Sequence, residues 1–391
     1  RSSYRGTGWR ARAGPAALTC FAELNVAGDH DTRMTVLASV HDDHDATYTE
    51  RAGRDIVAHY GRPARVHRAV RNVVGLIEHE YGVLTVTGAD RIDFVDNAIS
   101  NRVPTADGQG VYALLLDPQG RIETDMYVYN AGERLLVFTP PGEATPLAED
   151  WREKTFIQDV DITVATSDFG VFGIHGPKAT EKIASVFSEQ TPDQPLSFVR
   201  GSMGDHGVTV IRTDGPTGEE GYEVVCTADV AAGIFDTLEN HGLNAAPFGH
   251  ETWHYLTLEA GTPLFETELD GQVPNTLGLR NAVDFEKGCF VGQEVVSRVE
   301  NRGRPSKRLI GLVPEAVPES GAAVFAGDEA VGEVTRAAES PMRAEPIALA
   351  LVAFETAGDL SVRVDGEEVP AERTDLPFVD GSDRSARLPE Y

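Results

Sequence analysis

Residues 286–298 read Glu286-Lys287-Gly288-Cys289-Phe290-Val291-Gly292-Gln293-Glu294-Val295-Val296-Ser297-Arg298, and this run carries more information than any other in the chain. Cys289 stands between Lys287 and a Gly292-Gln293-Glu294 turn that opens a helix-like segment. A cationic neighbour and the amide end of a helix both favour a thiolate, so the position reads as a reactive one. The opposing reading makes Cys289 a small buried hydrophobe and Lys287 an ordinary surface charge, the usual fate of an isolated cysteine.

Around this run, 391 residues give enough chain for two or three domains. Acidic residues outnumber basic ones 62 to 34, for a formal charge of −28. That balance argues against nucleic acid and anionic membrane surfaces, because phosphate binding needs a basic footprint. Only five of the basic residues are lysine, namely Lys154, Lys178, Lys182, Lys287 and Lys307. Abundant Asp and Glu with little Lys resembles the surfaces of cytosolic proteins from salt-loving archaea, where salt screens self-repulsion. A GC-rich genome encoding an acidic protein would give the same bias. The three cysteines, Cys20, Cys226 and Cys289, are far apart, so neither a disulfide framework nor a cysteine-rich metal site is encoded. An iron–sulfur cluster held by this chain alone would lack its four thiolates. No apolar stretch is long enough to span a membrane, and the expected location is the cytoplasm.

Residues 1–33 carry Arg1, Arg5, Arg10, Arg12 and Arg33 and contrast with the acidic remainder, while Met34 opens Met-Thr-Val-Leu-Ala. They read as upstream sequence or a disordered extension rather than as part of the fold. Two later segments read as copies of one strand–turn–helix unit. Tyr81 to Asp90 leads into the amphipathic run Ile92 to Ile99, and Phe169 to Lys178 leads into Ala179 to Phe187. In each, a β-rich run ends at a glycine, and apolar residues three and four apart follow. An internal duplication is the natural inference. Val111 to Leu116 and Met126 to Thr139 read as strands joined through Asp117-Pro118-Gln119-Gly120, and Val208 to Arg212 and Tyr222 to Thr227 as a second hairpin. Asn301 to Pro305 reads as a linker. Short strands with Gly and Pro turns from Arg308 onward suggest a small antiparallel barrel.

The 286–298 run resembles the signature of the YgfZ proteins, folate-binding relatives of the glycine cleavage T protein that help maintain iron–sulfur enzymes. Thr217-Gly218-Glu219-Glu220-Gly221-Tyr222-Glu223, Leu258-Glu259-Ala260-Gly261-Thr262-Pro263-Leu264, and Gly332-Glu333-Val334-Thr335 followed by Ser340-Pro341 and Ile347 to Val352 resemble the T protein in the expected order. The resemblance implies an α+β fold with duplicated folate-binding domains in a ring and a C-terminal barrel. It divides the chain into 1–33 (extension), 34–300 (folate-binding region) and 306–385 (barrel).

The same resemblance implies the site. Glu223 matches the carboxylate that accepts the adjacent N–H and amino group of a reduced pterin, and strand alternation puts it on the face opposite Tyr222 and Val224. Asp125 falls on the aspartate beside the N5 nitrogen of folate. Tyr112 and Tyr129 map to aromatic positions of the pocket. Lys287, Gly288, Cys289, Gly292, Gln293 and Glu294 form the motif, with Cys289 its chemically active member. Two positions depart from the T-protein pattern: Thr257 replaces an arginine that helps hold the cofactor, and Thr124 replaces the first acid of the pair ending at Asp125. The leading expectation is therefore a tetrahydrofolate-binding accessory protein of YgfZ type, with iron–sulfur proteins as clients. The alternative is a folate-dependent aminomethyltransferase or related demethylase, whose partner is an aminomethyl-carrying protein. A third reading is a ligand-binding module in which Cys289 is inert.

Overall fold

The computed structural model describes Thr35 and residues 37–391. The expected extension at 1–33 and the proposed start at Met34 lie outside the described residues, as does Cys20.

Two β-sheets share one strand order. In the first, the strands lie side by side as Gln109–Leu116, Ile122–Asn130, Leu135–Thr139, Gly82–Thr87 and Asp161–Val164. In the second they lie as Phe198–Met203, His206–Arg212, Gly221–Thr227, Phe169–His175, Gly75–Glu78 and Ala246–Pro247. The earliest strand of each copy, Gly82–Thr87 or Phe169–His175, stands fourth, beside three strands joined by hairpins. A helix follows it in both, Arg91–Ala98 or Ala179–Val186. The turn between strand and helix needs glycine in both copies: Gly88 has φ +104 and Gly176 φ +137, and a Cβ would meet Asp159 O at 2.0 Å or Val70 O at 2.6 Å. The copies differ at one edge. Asp161–Val164 pairs directly with Gly82–Thr87, whereas Gly75–Glu78 intervenes in the second sheet. The segment read as continuous from Met126 to Thr139 turns at Gly132, where Ala131 N–H donates to Arg134 O at 2.9 Å.

Period-two alternation decides what each face does. Met126 and Val128 face Trp151 and Leu147 of the helix Ala144–Lys154, and Tyr222 and Val224 face Ile183 and Phe235. The other faces, with Tyr112, Tyr127, Tyr129 and Phe138 from one sheet and Val171, Ile211 and Val225 from the other, join a single buried cluster. Helices thus cover the outer faces, and the two sheets meet through residues of opposite parity.

The barrel is closed in the order Lys307–Pro314, Pro346–Ala353, Glu329–Glu339, Ala323–Ala326, Leu360–Val364 and Glu367–Thr374. Closure removes exposed strand edges. Alternation again serves two purposes, since Ala348, Ala350 and Val352 fill the barrel while Ile347, Leu349 and Leu351 pack outward on the cluster between the sheets. Its last strand ends at Thr374. Residues 375–391 run back over the sheets, with Phe378 and Val379 N–H on Glu259 O, Ala386 N–H on Asp214 O and Glu390 N–H on Gly278 O.

Two motif residues that carried the resemblance are structural. Glu259, fully buried, accepts from His67 Nε2 at 2.8 Å, Arg71 Nη2 at 2.9 Å and Ser340 Oγ at 2.5 Å. Burial acts to raise its carboxyl, but His67 and Arg71 outweigh burial and hold it at about 2. Arg71 also reaches Glu219 Oε1 at 2.9 Å, and Glu219 Oε2 accepts from Ser382. One guanidinium therefore ties two helices, the second hairpin and the returning tail.

Candidate functional site

Glu223 lies on the strand Gly221–Thr227 with only 4% of its surface exposed. It faces the interior between the sheets, opposite in parity to Tyr222 and Val224, as alternation predicts. Across the ladder its partner is Gly173, whose missing side chain leaves the space taken by His79 and His175: a Cβ there would lie 2.5 Å from His79 Nε2. The Tyr81 hydroxyl donates to Glu223 Oε1 at 2.8 Å, and Glu223 Oε2 is buried without a partner. Burial pushes the carboxyl up to about 7, aided by the charge of Asp214 and opposed by the Tyr81 bond and by Arg387.

From the first sheet come Asp125, Tyr127 and Tyr129, three successive inward positions of Ile122–Asn130, and Tyr112 from the neighbouring strand, directly across from Tyr127. Tyr112 donates to Asp125 Oδ2 at 2.7 Å. Burial raises the Asp125 carboxyl above its ordinary range, against the pull of Arg387 and the Tyr112 bond. Asp125 and Tyr127 line the cleft, whereas Glu223, Tyr112 and Tyr129 stand behind that lining. Tyr129 stacks on Tyr127 at 6.2 Å and meets Phe138 and Phe198 edge-on.

The centre of this arrangement is Arg387, from the returning tail. Its guanidinium lies 4.2 Å from the Tyr112 ring centroid, 3.5 Å from Asp125 Oδ2, and donates through Nε to Asp214 Oδ2 at 3.1 Å and through Nη2 to the Tyr127 hydroxyl. Tyr127 in turn donates to Asp214 Oδ1 at 2.8 Å. Two carboxylates, two phenols and one guanidinium thus form a buried network at the wall of a cleft whose lining includes Tyr81, Phe138 and Trp253. At its mouth, Glu266 accepts from Arg51 Nε at 2.8 Å, Arg51 Nη1 meets His250 Nδ1 at 3.1 Å, and His250 Nε2 meets Glu80 Oε2 at 2.8 Å. Because arginine has only donors, the His250 hydrogen lies on Nε2 and points to Glu80.

The cysteine run is placed differently from the expectation. Lys287 is buried, and its ammonium donates to the carbonyls of Asp96, Ile99 and Asn101, capping the end of the helix Arg91–Ala98. It is a helix cap, not a charge spent on Cys289. Cys289 is exposed rather than buried, and it is not among the residues lining the cleft. Gly288 has open space around it. Gly292, at φ +79, lets the run approach the first hairpin turn, where a Cβ would come within 2.6 Å of Asp117 O. The Gln293 amide donates to Lys287 O at 3.4 Å, and Glu294 is exposed with Arg298 at 3.5 Å. The motif fastens this segment to the first sheet. Among the described residues no group of His, Cys, Asp and Glu is arranged to hold a metal.

Thr257, where the T-protein pattern has arginine, is buried and receives Arg336 Nη1 from the barrel at 3.1 Å. Arg336 also donates to Glu268 Oε1 at 3.0 Å. A guanidinium stands beside this helical position, supplied by the barrel strand Glu329–Glu339.

Tyr81, Tyr127, Asp214 and Arg387 were missed by sequence reasoning. Tyr127 was within reach of it, standing two residues from both Asp125 and Tyr129 on one face. Arg387 was not, because no local pattern links a tail residue to a strand 260 positions away.

An inward-facing buried carboxylate on one of two like-ordered sheets, an aspartate–tyrosine pair on the other and an appended closed barrel define a class of two-sheet, barrel-closed ligand-binding proteins. Residues 37–287 match the family described as the GCVT N-terminal domain, and residues 307–380 the glycine cleavage T-protein C-terminal barrel domain. The chain belongs to this glycine cleavage T-protein family. It is 33% identical over 365 residues to an aminomethyltransferase of Streptomyces coelicolor, covering 89% of this chain and 98% of that protein. An aminomethyltransferase of Cutibacterium acnes is 31% identical, with 88% and 98% covered, and a probable aminomethyltransferase of Halobacterium salinarum 29%, with 89% and 99%. The fold matches the crystal structure of glycine cleavage system aminomethyltransferase T from Bartonella henselae at a TM-score of 0.80 and 21% identity, covering 90% of this chain and 99% of that one.

Proposed function

We propose that the protein is a folate-dependent aminomethyltransferase that uses tetrahydrofolate as the acceptor of a one-carbon unit from an aminomethyl-carrying protein. The observation that carries this reading is identity of 33% to a curated aminomethyltransferase along nearly the full length of both chains. The accessory role in iron–sulfur maintenance rested on Lys287 and Cys289, which here cap a helix and lie exposed outside the cleft lining.

The residues fit the ligand. Glu223 Oε2 is a buried acceptor without a donor, and a reduced pterin offers two adjacent donors to a carboxylate. Tetrahydrofolate, when bound, supplies the nucleophilic nitrogen that takes up the carbon unit. Glu223 would hold the pterin edge. Asp125, held by Tyr112 and Arg387, would orient that nitrogen and stabilise developing positive charge. Tyr127 and Arg387 keep Asp125 and Asp214 in fixed positions, and Tyr81, Phe138 and Trp253 give the cleft an aromatic lining that restricts water.

The test is formation of methylene-tetrahydrofolate from tetrahydrofolate and an aminomethyl-loaded carrier protein, with wild type and Asp125→Asn. Turnover by wild type and its loss in Asp125→Asn are expected. Binding of tetrahydrofolate without turnover by any aminomethyl carrier would overturn the transferase reading and leave a folate-binding accessory protein.

A further inference from the structure

We propose that Tyr81 is the positioning residue for Glu223: it selects which carboxylate oxygen meets the ligand and sets the pH range in which that carboxyl is a charged acceptor. The inference rests on the reading of Glu223 as the pterin anchor.

Tyr81 sits in the connection between the second sheet's strand Gly75–Glu78 and the first sheet's strand Gly82–Thr87, so its backbone is fixed by both sheets. Its ring is locked as well, stacked on Phe138 at 5.6 Å and 20°, close to His79 at 5.1 Å and edge-on to Tyr127 at 6.3 Å. A ring so held presents its hydroxyl from one direction. That hydroxyl donates to Glu223 Oε1 at 2.8 Å, which leaves Oε2 as the oxygen without a donor.

The other groups facing Glu223 do not replace this bond. Tyr127 gives its hydroxyl to Asp214, and Arg387 is engaged by Asp125 and Asp214. His79 and His175 lie under Gly173 with their imidazoles held neutral by burial. Asp214 acts on Glu223 through its charge alone. The Tyr81 donor is therefore the one direct contact among the described residues that favours the ionised carboxylate.

Tyr81→Phe keeps the ring and its stack while deleting the donor, so the fold should persist. Two measurements on the full chain decide the matter. Carbon-13 NMR titration of the Glu223 carboxyl, assigned with Glu223→Gln, should show its midpoint about one pH unit higher in Tyr81→Phe. Anaerobic calorimetry should show tetrahydrofolate affinity falling about fivefold at pH 7 and converging on wild type by about pH 9. An unchanged carboxyl midpoint, or an affinity loss of equal size at every pH, overturns the proposal and makes Tyr81 a packing residue. If wild type binds no tetrahydrofolate, the folate reading fails, while the NMR titration still decides what Tyr81 does to Glu223.

Discussion

Arg387 lies over the ring of Tyr112, 4.2 Å from its centroid, although 275 residues of chain separate them. The tail beyond the barrel thereby completes a site whose other members belong to the two sheets. Arg387 is only 6% exposed and is the cation between Asp125 and Asp214.

Removing that cation leaves two buried carboxylates without their counter-charge. Arg387→Gln should lower unfolding free energy by about 3 kcal/mol. The loss should be measurable by urea denaturation at pH 7.5, together with weaker tetrahydrofolate binding.

Glu223→Gln should separate stability from function. In the folded protein the carboxyl is raised from 4.5 to about 7, so the native state holds a proton that the unfolded chain releases. Its stabilising contribution is complete below 4.5 and is lost as pH rises through about 7. Glutamine does not titrate, so the variant should gain on wild type across this window, by about 3 kcal/mol at its upper end. It should also lose tetrahydrofolate affinity. Parallel stability curves from pH 4.5 to 8 would contradict the buried-acid assignment.

Lys287 and Cys289 should behave oppositely. Lys287→Met leaves the carbonyls of Asp96, Ile99 and Asn101 without their shared donor and should cost about 2–3 kcal/mol. Cys289→Ser, at an exposed position, should stay within about 0.5 kcal/mol of wild type and retain folate affinity. Loss of methylene-folate formation in Cys289→Ser would restore a chemical role to the thiol.

Three histidines, His175 buried and His79 and His254 half-buried, make the fold sensitive to acid. Burial lowers His79 to about 3 and His254 to about 4, and lowers His175 well below 6.5. The stability they contribute is present above 6.5 and is lost as pH falls toward the folded values. Unfolding at pH 5.5 should therefore take up protons at these positions. His254→Gln should reduce that uptake by about one proton, read from the pH dependence of the denaturation midpoint.

Much of this was legible in the chain. The alternation around Glu223 set its side chain on the face opposite Tyr222 and Val224, and the repeated strand–turn–helix pattern foretold a duplicated unit, because period-two burial and a glycine turn are local properties. The run at 286–298 was legible as a motif but not as a function. Lys287 looked like a partner for Cys289 in sequence, yet three carbonyls from residues 96–101 hold its ammonium. Charge seen in sequence says nothing about which acceptor it will meet.

The sequence by itself determined the elements, the face each strand buries, the closing barrel and the family, since each follows from residues near one another or from a pattern shared along the chain. Only the tertiary structure decided that Tyr81 meets Glu223, that Arg387 returns to Asp125, and that the Lys287 ammonium caps a helix of the first sheet. These contacts join groups 142, 262 and 188 residues apart. Their geometry depends on how the sheets and tail pack, and short-range patterns do not encode that packing.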